Sequence, residues 1–383
     1  MALHFDRREY KDRIAKVIKS LEHQGLDGLL MFHQESMYYL TGYDSFGFCF
    51  FQCLYLAADG SLALLTRAPD LRQAQLTSII EDIRLWTDEA GAKPTAQLRD
   101  MLLDLGVRGK KLGIETNSYG LTHYNGRAVE EALSNICALI EASDLVSRIR
   151  LVKSSTELAY VKKAGKLGDL ALEAAIGETR AGADEGKILA SQQAAIFAGG
   201  GDYPGNEFII GSGRDALLCR YKSGRRKLSK RDQLTLEFAG VYRHYHAALM
   251  RTLIVGKPTA RHLEMEKAAR EALTAVEDVM RPGHTAGDVF DAHARVMDEH
   301  GMHKHRMNAC GYSLGAKFTP TWMDFPMFYH GNPVEIEPGQ VFFAHMILMD
   351  SESASAYCLG RTYITTKAKP QSVSRHSLEM IVR

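Results

Sequence analysis

The stretch Asp232–Thr252, DQLTLEFAGVYRHYHAALMRT, constrains this chain more than any other. Leu234, Leu236 and Phe238 alternate with Gln233, Thr235 and Glu237, the period of a strand with one buried face. Ala239-Gly240 supplies a turn signal, and Val241–Ile254 reads as the returning strand. A period of two puts Glu237 opposite the apolar trio and sets His244, His246 and Ala248 together on one face. A carboxylate opposed to imidazoles in an apolar hairpin is costly to bury unless the groups are paired or used. The arrangement is therefore either a satisfied hydrogen-bond network or a catalytic set.

The segments before this hairpin alternate between helix and strand. Asp6–Gln24 carries helical periodicity up to Gly25, and Leu26–Phe32 reads as a buried strand. Cys53–Ala58 and Ser61–Thr66 flank Asp59-Gly60, a hairpin signal. Helices are predicted over 68–79, 94–105 and 125–140, and strands over 80–87 and 111–115, which is an α/β pattern. A domain boundary is expected after Val152, giving domains 1–152 and 153–383. The second begins with a helix over 156–176, capped by Ser154 or Ser155 with Glu157 in its first turn. Further helices over 186–198, 260–280 and 288–300 accompany late strands over 338–349 and 359–366, an α+β pattern, and Gly311–Gly315 reads as a turn-rich loop.

Composition excludes several function classes. Forty-seven basic residues against 46 acidic ones leave no bulk attraction for nucleic acid or an anionic membrane. Arg220–Arg231 holds seven basic residues in twelve and reads as a solvated connection, with an anion site or a catalytic Arg220 as the alternatives. The N-terminus is charged, no apolar run is long enough to span a bilayer, and the six cysteines are scattered, so a reduced cytoplasmic protein is expected. No G-x-G-x-x-G, Walker A, H-E-x-x-H or G-x-S-x-G pattern occurs. His300, His303 and His305 sit at a helix end, where the helix C-terminus accounts for them without a metal.

The order of motifs resembles the creatinase/aminopeptidase P/prolidase superfamily. SMYYLTGYD at 36–44, RIRLVKSSTELAYVKKA at 148–164, RPGHTAGDV at 281–289 and IEPGQVFF at 336–343 carry the likeness. It implies an α/β N-terminal domain followed by an α+β "pita-bread" catalytic domain. Peptidases of the superfamily hold two divalent metals on two Asp, one His and two Glu. Those positions fall here on Glu237, Ala248 eleven residues later, Tyr312, His345, and Gly360 or Arg361. The resemblance thus implies that the dinuclear centre is absent, with no cofactor, because bridging carboxylates are needed to hold two cations.

The hairpin resembles the metal-free ectoine hydrolase and creatinase branches more closely, through RHYHAALMRT at 243–252, GGDYP at 200–204 and GYSLG at 311–315. The general-base histidine of creatinase falls on Arg220, a departure that argues against creatine as substrate. The likeness implies hydrolysis of a C–N bond in a small amidine- or lactam-like compound. Glu237 would be nucleophile or general base, His246 (or His244) the proton shuttle, and His345 or Arg220 the stabiliser of developing negative charge. Tyr312, Trp322, Asp324, Asp202 and Arg361 would shape the substrate site. The likeness also implies a homodimer in which the aromatic stretch Phe46–Phe51, with Phe48 at its centre, borders the partner's pocket. Two other readings remain open: an Xaa-Pro peptidase with one metal on Glu237, His246 and His345, and a non-catalytic binding protein.

Overall fold

The computed structural model describes residues 3–220 and 225–383, and the chain divides into two units, Met1–Arg150 and Leu151–Arg383. In the first unit, α1 (Arg7–Gln24) is capped by Asp6, whose side chain accepts the Glu9 N–H, and stops at Gly25 with φ of 64°. Then follow β1 (Gly28–Met31), α2 (Gln34–Thr41), β2 (Cys53–Ala57), β3 (Leu62–Arg67), α3 (Leu71–Thr77) and β4 (Asp82–Trp86). The unit continues through α4 (Pro94–Asp104), β5 (Lys111–Ile114), α5 (His123–Leu133), β6 (Ala138–Glu141) and α6 (Leu145–Ile149).

These strands form one mixed sheet in the order β4-β3-β2-β1-β5-β6. Strand alternation divides its apolar side chains between two cores. Leu30, Tyr55 and Leu65 pack with Leu98, Met101 and Val129, while Leu29, Leu54 and Leu64 pack with Val17, Leu21 and Ala74. Burial on both faces is the reason that the helix–strand alternation was legible. One expectation fails here: the helix over 125–140 ends at Leu133, and Ala138–Glu141 is a strand parallel to β5. The apolar run Ile136–Ile140 fits either period, and pairing with β5 decides it.

The second unit opens with α7 (Ser155–Glu178), where Ser154 and Glu157 form a reciprocal capping box. It continues with α8 (Glu185–Ala198), β7 (Ile209–Ser212), β8 (Asp232–Tyr242), β9 (Tyr245–Val255), α9 (Ala260–Val279) and α10 (Ala286–Glu299). The last elements are β10 (Gly311–Ser313), β11 (Asp324–Met327), β12 (Val341–Asp350), β13 (Ser355–Ile364), β14 (Gln371–Ser372) and β15 (Ile381–Val382). The main path of the curled sheet runs β11-β10-β12-β13-β9-β8-β7, with every neighbour antiparallel. Gly311–Ser313 is a strand of this sheet rather than a loop.

The central hairpin is longer than its sequence suggests. Strand β8 runs through Ala239-Gly240, and the turn is Arg243-His244, with φ of 51° and 64° and Tyr242 paired to Tyr245. Two consecutive positive φ values in a two-residue loop give the type I′ turn, which matches the twist of the strands. Gly240 is glycine for another reason: a Cβ there would lie 2.0 Å from the Ala164 carbonyl oxygen and 2.3 Å from the Gly168 nitrogen. It marks the close crossing of α7 over β8, not a turn.

That crossing also tells the two faces of the sheet apart. Even-numbered residues of β12, such as Phe342, Ala344 and Met346, pack with Met265, Ala268 and Ala272 of α9. The other face carries Glu237, Met250, Gly360 and His345, which the register sets in one row across β8, β9, β13 and β12. No helix among the described residues is long and apolar enough to cross a membrane.

Candidate active site

A cavity of about 180 Å³ lies over this row, and Glu237, His345, Tyr312 and Arg220 all line it. Glu237 is 8% exposed, and Tyr312 donates its phenol proton to Glu237 Oε1 over 3.2 Å. The Tyr312 oxygen in turn accepts the indole N–H of Trp322 at 2.9 Å. Burial pushes the Glu237 carboxyl up to about 7, against the opposing pull of the Tyr312 hydrogen bond and the Arg220 charge. It is therefore near half-ionised at neutral pH.

His345 stands on the other side of Tyr312, with ring centres 5.6 Å apart. Its Nδ1 is buried without a hydrogen-bond partner, and desolvation drives its pKa down to about 4. The imidazole is neutral at pH 7. Arg220 is exposed at the rim, directly before residues 221–224, which lie outside the described part of the predicted basic stretch.

Several expected site residues lie elsewhere. His246 is fully buried, its Nε2 accepts the Gly205 N–H at 2.8 Å, and its Nδ1 lies 3.4 Å from the Gly315 carbonyl oxygen. With both nitrogens facing backbone groups and a pKa lowered to about 3 by desolvation, it is a neutral structural imidazole outside the cavity lining. It shares the face of Glu237 but pairs with Val241, four residues along β8, so the expected carboxylate–imidazole opposition does not form. His244 is in the turn, stacked on Phe318 at 4.1 Å.

Asp202 accepts the Arg243 N–H and so fastens that turn. Asp324 accepts the Phe325 N–H at 3.1 Å and is not part of the lining, although its neighbour Met323 is. Trp322 stands behind Tyr312 rather than in the cavity wall. Arg361 pairs with Ala344 and Leu249, one residue out of phase with the cavity row, so it is on the helix-covered face and donates to the His376 carbonyl oxygen. Phe48 is in the first unit, buried in the short helical turn Gly47–Cys49.

The residues present do not fit a dinuclear metal centre. Ala248 and Gly360 offer no donor atom, and the Tyr312 phenol is committed to Glu237 and Trp322. Among the described residues, no three His, Cys, Asp or Glu side chains converge as a metal would need. His300 and His303 bond instead to Glu271 and Asp298, and His305 lies 3.9 Å from Asp350.

Sequence reasoning missed most of the rest of the wall, above all Met250, Met307, Met323, Met327 and Met349. Stepping by two from His345 gives Ile347 and Met349, a signal that could have found part of it.

The fold and this site define a class. Residues 159–367 match metallopeptidase family M24, and residues 13–152 match the creatinase/prolidase N-terminal domain. The chain belongs to metallopeptidase family M24 and is a hydrolase of that family. It is 26% identical over 363 residues to the ectoine hydrolase of Halomonas elongata, covering 89% of this chain and 90% of that one. It is 22% identical over 335 residues to a Xaa-Pro dipeptidase of Pyrococcus furiosus, covering 86% and 90%. In structure it is similar to the prolidase of Thermococcus sibiricus, with a TM-score of 0.88 at 21% identity, over 98% of this chain and 99% of that one.

Proposed function

We propose that this chain is a metal-independent hydrolase of a C–N bond in a small amidine- or lactam-like nitrogen compound. The observation that carries the reading is the donor set: one desolvated carboxyl, Glu237, shares a cavity with a neutral imidazole and a guanidinium, and among the described residues no three His, Cys, Asp or Glu side chains converge. The named ectoine hydrolase relative gives it further support.

In its ionised form Glu237 takes a proton from water as the water oxygen adds to the electrophilic carbon. The C–N bond then breaks, and Glu237 returns that proton to the leaving nitrogen. A carboxyl held near pH 7 suits both halves of the cycle. Tyr312 fixes Glu237 Oε1 and so orients the carboxyl toward the reacting carbon. Neutral His345 accepts a hydrogen bond from a substrate N–H.

A second reading, a Xaa-Pro dipeptidase with one metal, has the Pyrococcus relative in its favour. It needs His246 as a ligand, and that imidazole is engaged with backbone groups at Gly205 and Gly315. The deciding experiment assays ectoine and an Xaa-Pro dipeptide with protein dialysed against a chelator, before and after adding Mn²⁺ or Zn²⁺. The proposal expects metal-indifferent turnover of the cyclic compound, and Glu237→Gln reducing it at least 1000-fold. Dipeptide turnover that requires added metal would sink it.

A further inference from the structure

The lining of the Glu237 cavity specifies more than a reaction. Five methionines, Met250, Met307, Met323, Met327 and Met349, form its wall, and Ile209, Leu218 and Ile347 extend the apolar surface. Met250 is buried, while the other four are partly open to the cavity. Thioether side chains are apolar, unbranched and polarizable, so a wall of five adapts to aliphatic groups of differing shape. Such a wall offers little to a fully polar solute, which would surrender hydration without replacement hydrogen bonds.

The charges are arranged along one direction. Glu237 lies at the buried end, held by Tyr312, and Arg220 is exposed at the rim. Among the described residues Arg220 enters no ion pair or hydrogen bond, in contrast to Arg226, which bonds Asp232 and Ser212 at 2.6 Å each. A ligand with its reacting nitrogen group at Glu237 therefore meets methionines along its length and a guanidinium at its outer end.

We propose that the cavity selects aliphatic carboxylates: molecules whose carboxylate pairs with Arg220 and whose hydrocarbon part lies on the methionine wall. This rests on the reading of the cavity as the substrate site, and narrows the substrate to a C–N compound carrying both features. Guanidinium–carboxylate pairing supplies orientation, and apolar burial supplies affinity.

The test uses ligands that cannot react, so it is independent of catalysis. Acetate, butanoate, hexanoate and hexylammonium are titrated calorimetrically into the full chain, its Glu237→Gln variant and its Arg220→Met variant. Affinity is expected to rise about fourfold for each buried methylene up to hexanoate, with hexylammonium far weaker in Glu237→Gln, where no carboxylate is left to pair with the ammonium. Arg220→Met should weaken every carboxylate by about tenfold or more, and Met349→Gln should flatten the chain-length dependence. Glu237→Gln, which abolishes turnover under the proposed function, should retain hexanoate binding. Affinity that is flat with chain length, indifferent to Arg220, or as high for hexylammonium in Glu237→Gln would overturn the inference. Turnover that survives in Glu237→Gln would instead overturn the mechanism and leave the binding result standing.

Discussion

Tyr312 donates to Glu237 across 3.2 Å while its own oxygen is held by the Trp322 indole, so the one buried carboxyl of the cavity depends on one phenol. That hydrogen bond favours the ionised form of Glu237 and opposes the burial that drives its pKa up to about 7.

Two consequences for pH follow from this pair. If ionised Glu237 is the base, kcat/KM rises as pH increases through about 7 and levels above it. Tyr312→Phe removes a group that favours the carboxylate, so the rising limb should move to higher pH, with roughly a tenfold loss at pH 6. A pH–rate profile of the two proteins checks this. An unmoved limb would show that another group sets it.

Acid should destabilise this protein through three buried imidazoles. His246 and His293 have pKa values lowered to about 3, and His345 to about 4, each with desolvation as the largest cause. In the unfolded chain all three return to an ordinary value near 6.5. Between about pH 6.5 and those folded values the unfolded state binds more protons, so stability is fully present above about 6.5 and is lost as pH falls. The slope is about 1.4 kcal/mol per histidine per pH unit. Urea unfolding at about pH 7.5 and about pH 5 should show this loss, and His293→Phe should make it shallower by one histidine's share. Equal slopes in the two proteins would remove His293 from the account.

The Gly240 crossing is expected to tolerate no side chain. Gly240→Ala places a methyl against backbone of α7 rather than against a movable side chain, with contacts of 2.0 and 2.3 Å to relieve. A loss of about 3 kcal/mol or more is expected, at the upper end of overpacking costs. Thermal unfolding measures it, and a change under about 0.5 kcal/mol would mean that helix and strand separate easily there.

Local chemistry made much of the fold readable in advance. Gly25 stops α1, the Asp59-Gly60 turn joins β2 and β3, and Ser154 with Glu157 starts α7. Each is decided by neighbours within a few residues, which is what periodicity and capping report. Ala239-Gly240 and the helix over 125–140 misled for a matching reason. A glycine demanded by a helix crossing looks like one demanded by a turn, and a short apolar run takes its period from its partner strand.

For the site, the sequence by itself determined which chemistry was available: Glu237 as the carboxyl in the middle of the hairpin, with Tyr312, His345 and Arg220 as candidates. Only tertiary structure decided which of these meet. Strand register sends Glu237 and His345 to the cavity and Arg361 to the helix-covered face, because a shift of one residue reverses a side chain's direction. The two-residue turn carries His244 away, and backbone at Gly205 and Gly315 claims His246. The methionine wall comes from β9, β11 and β12 and from loops around residues 307 and 323, so no local window of sequence contains it.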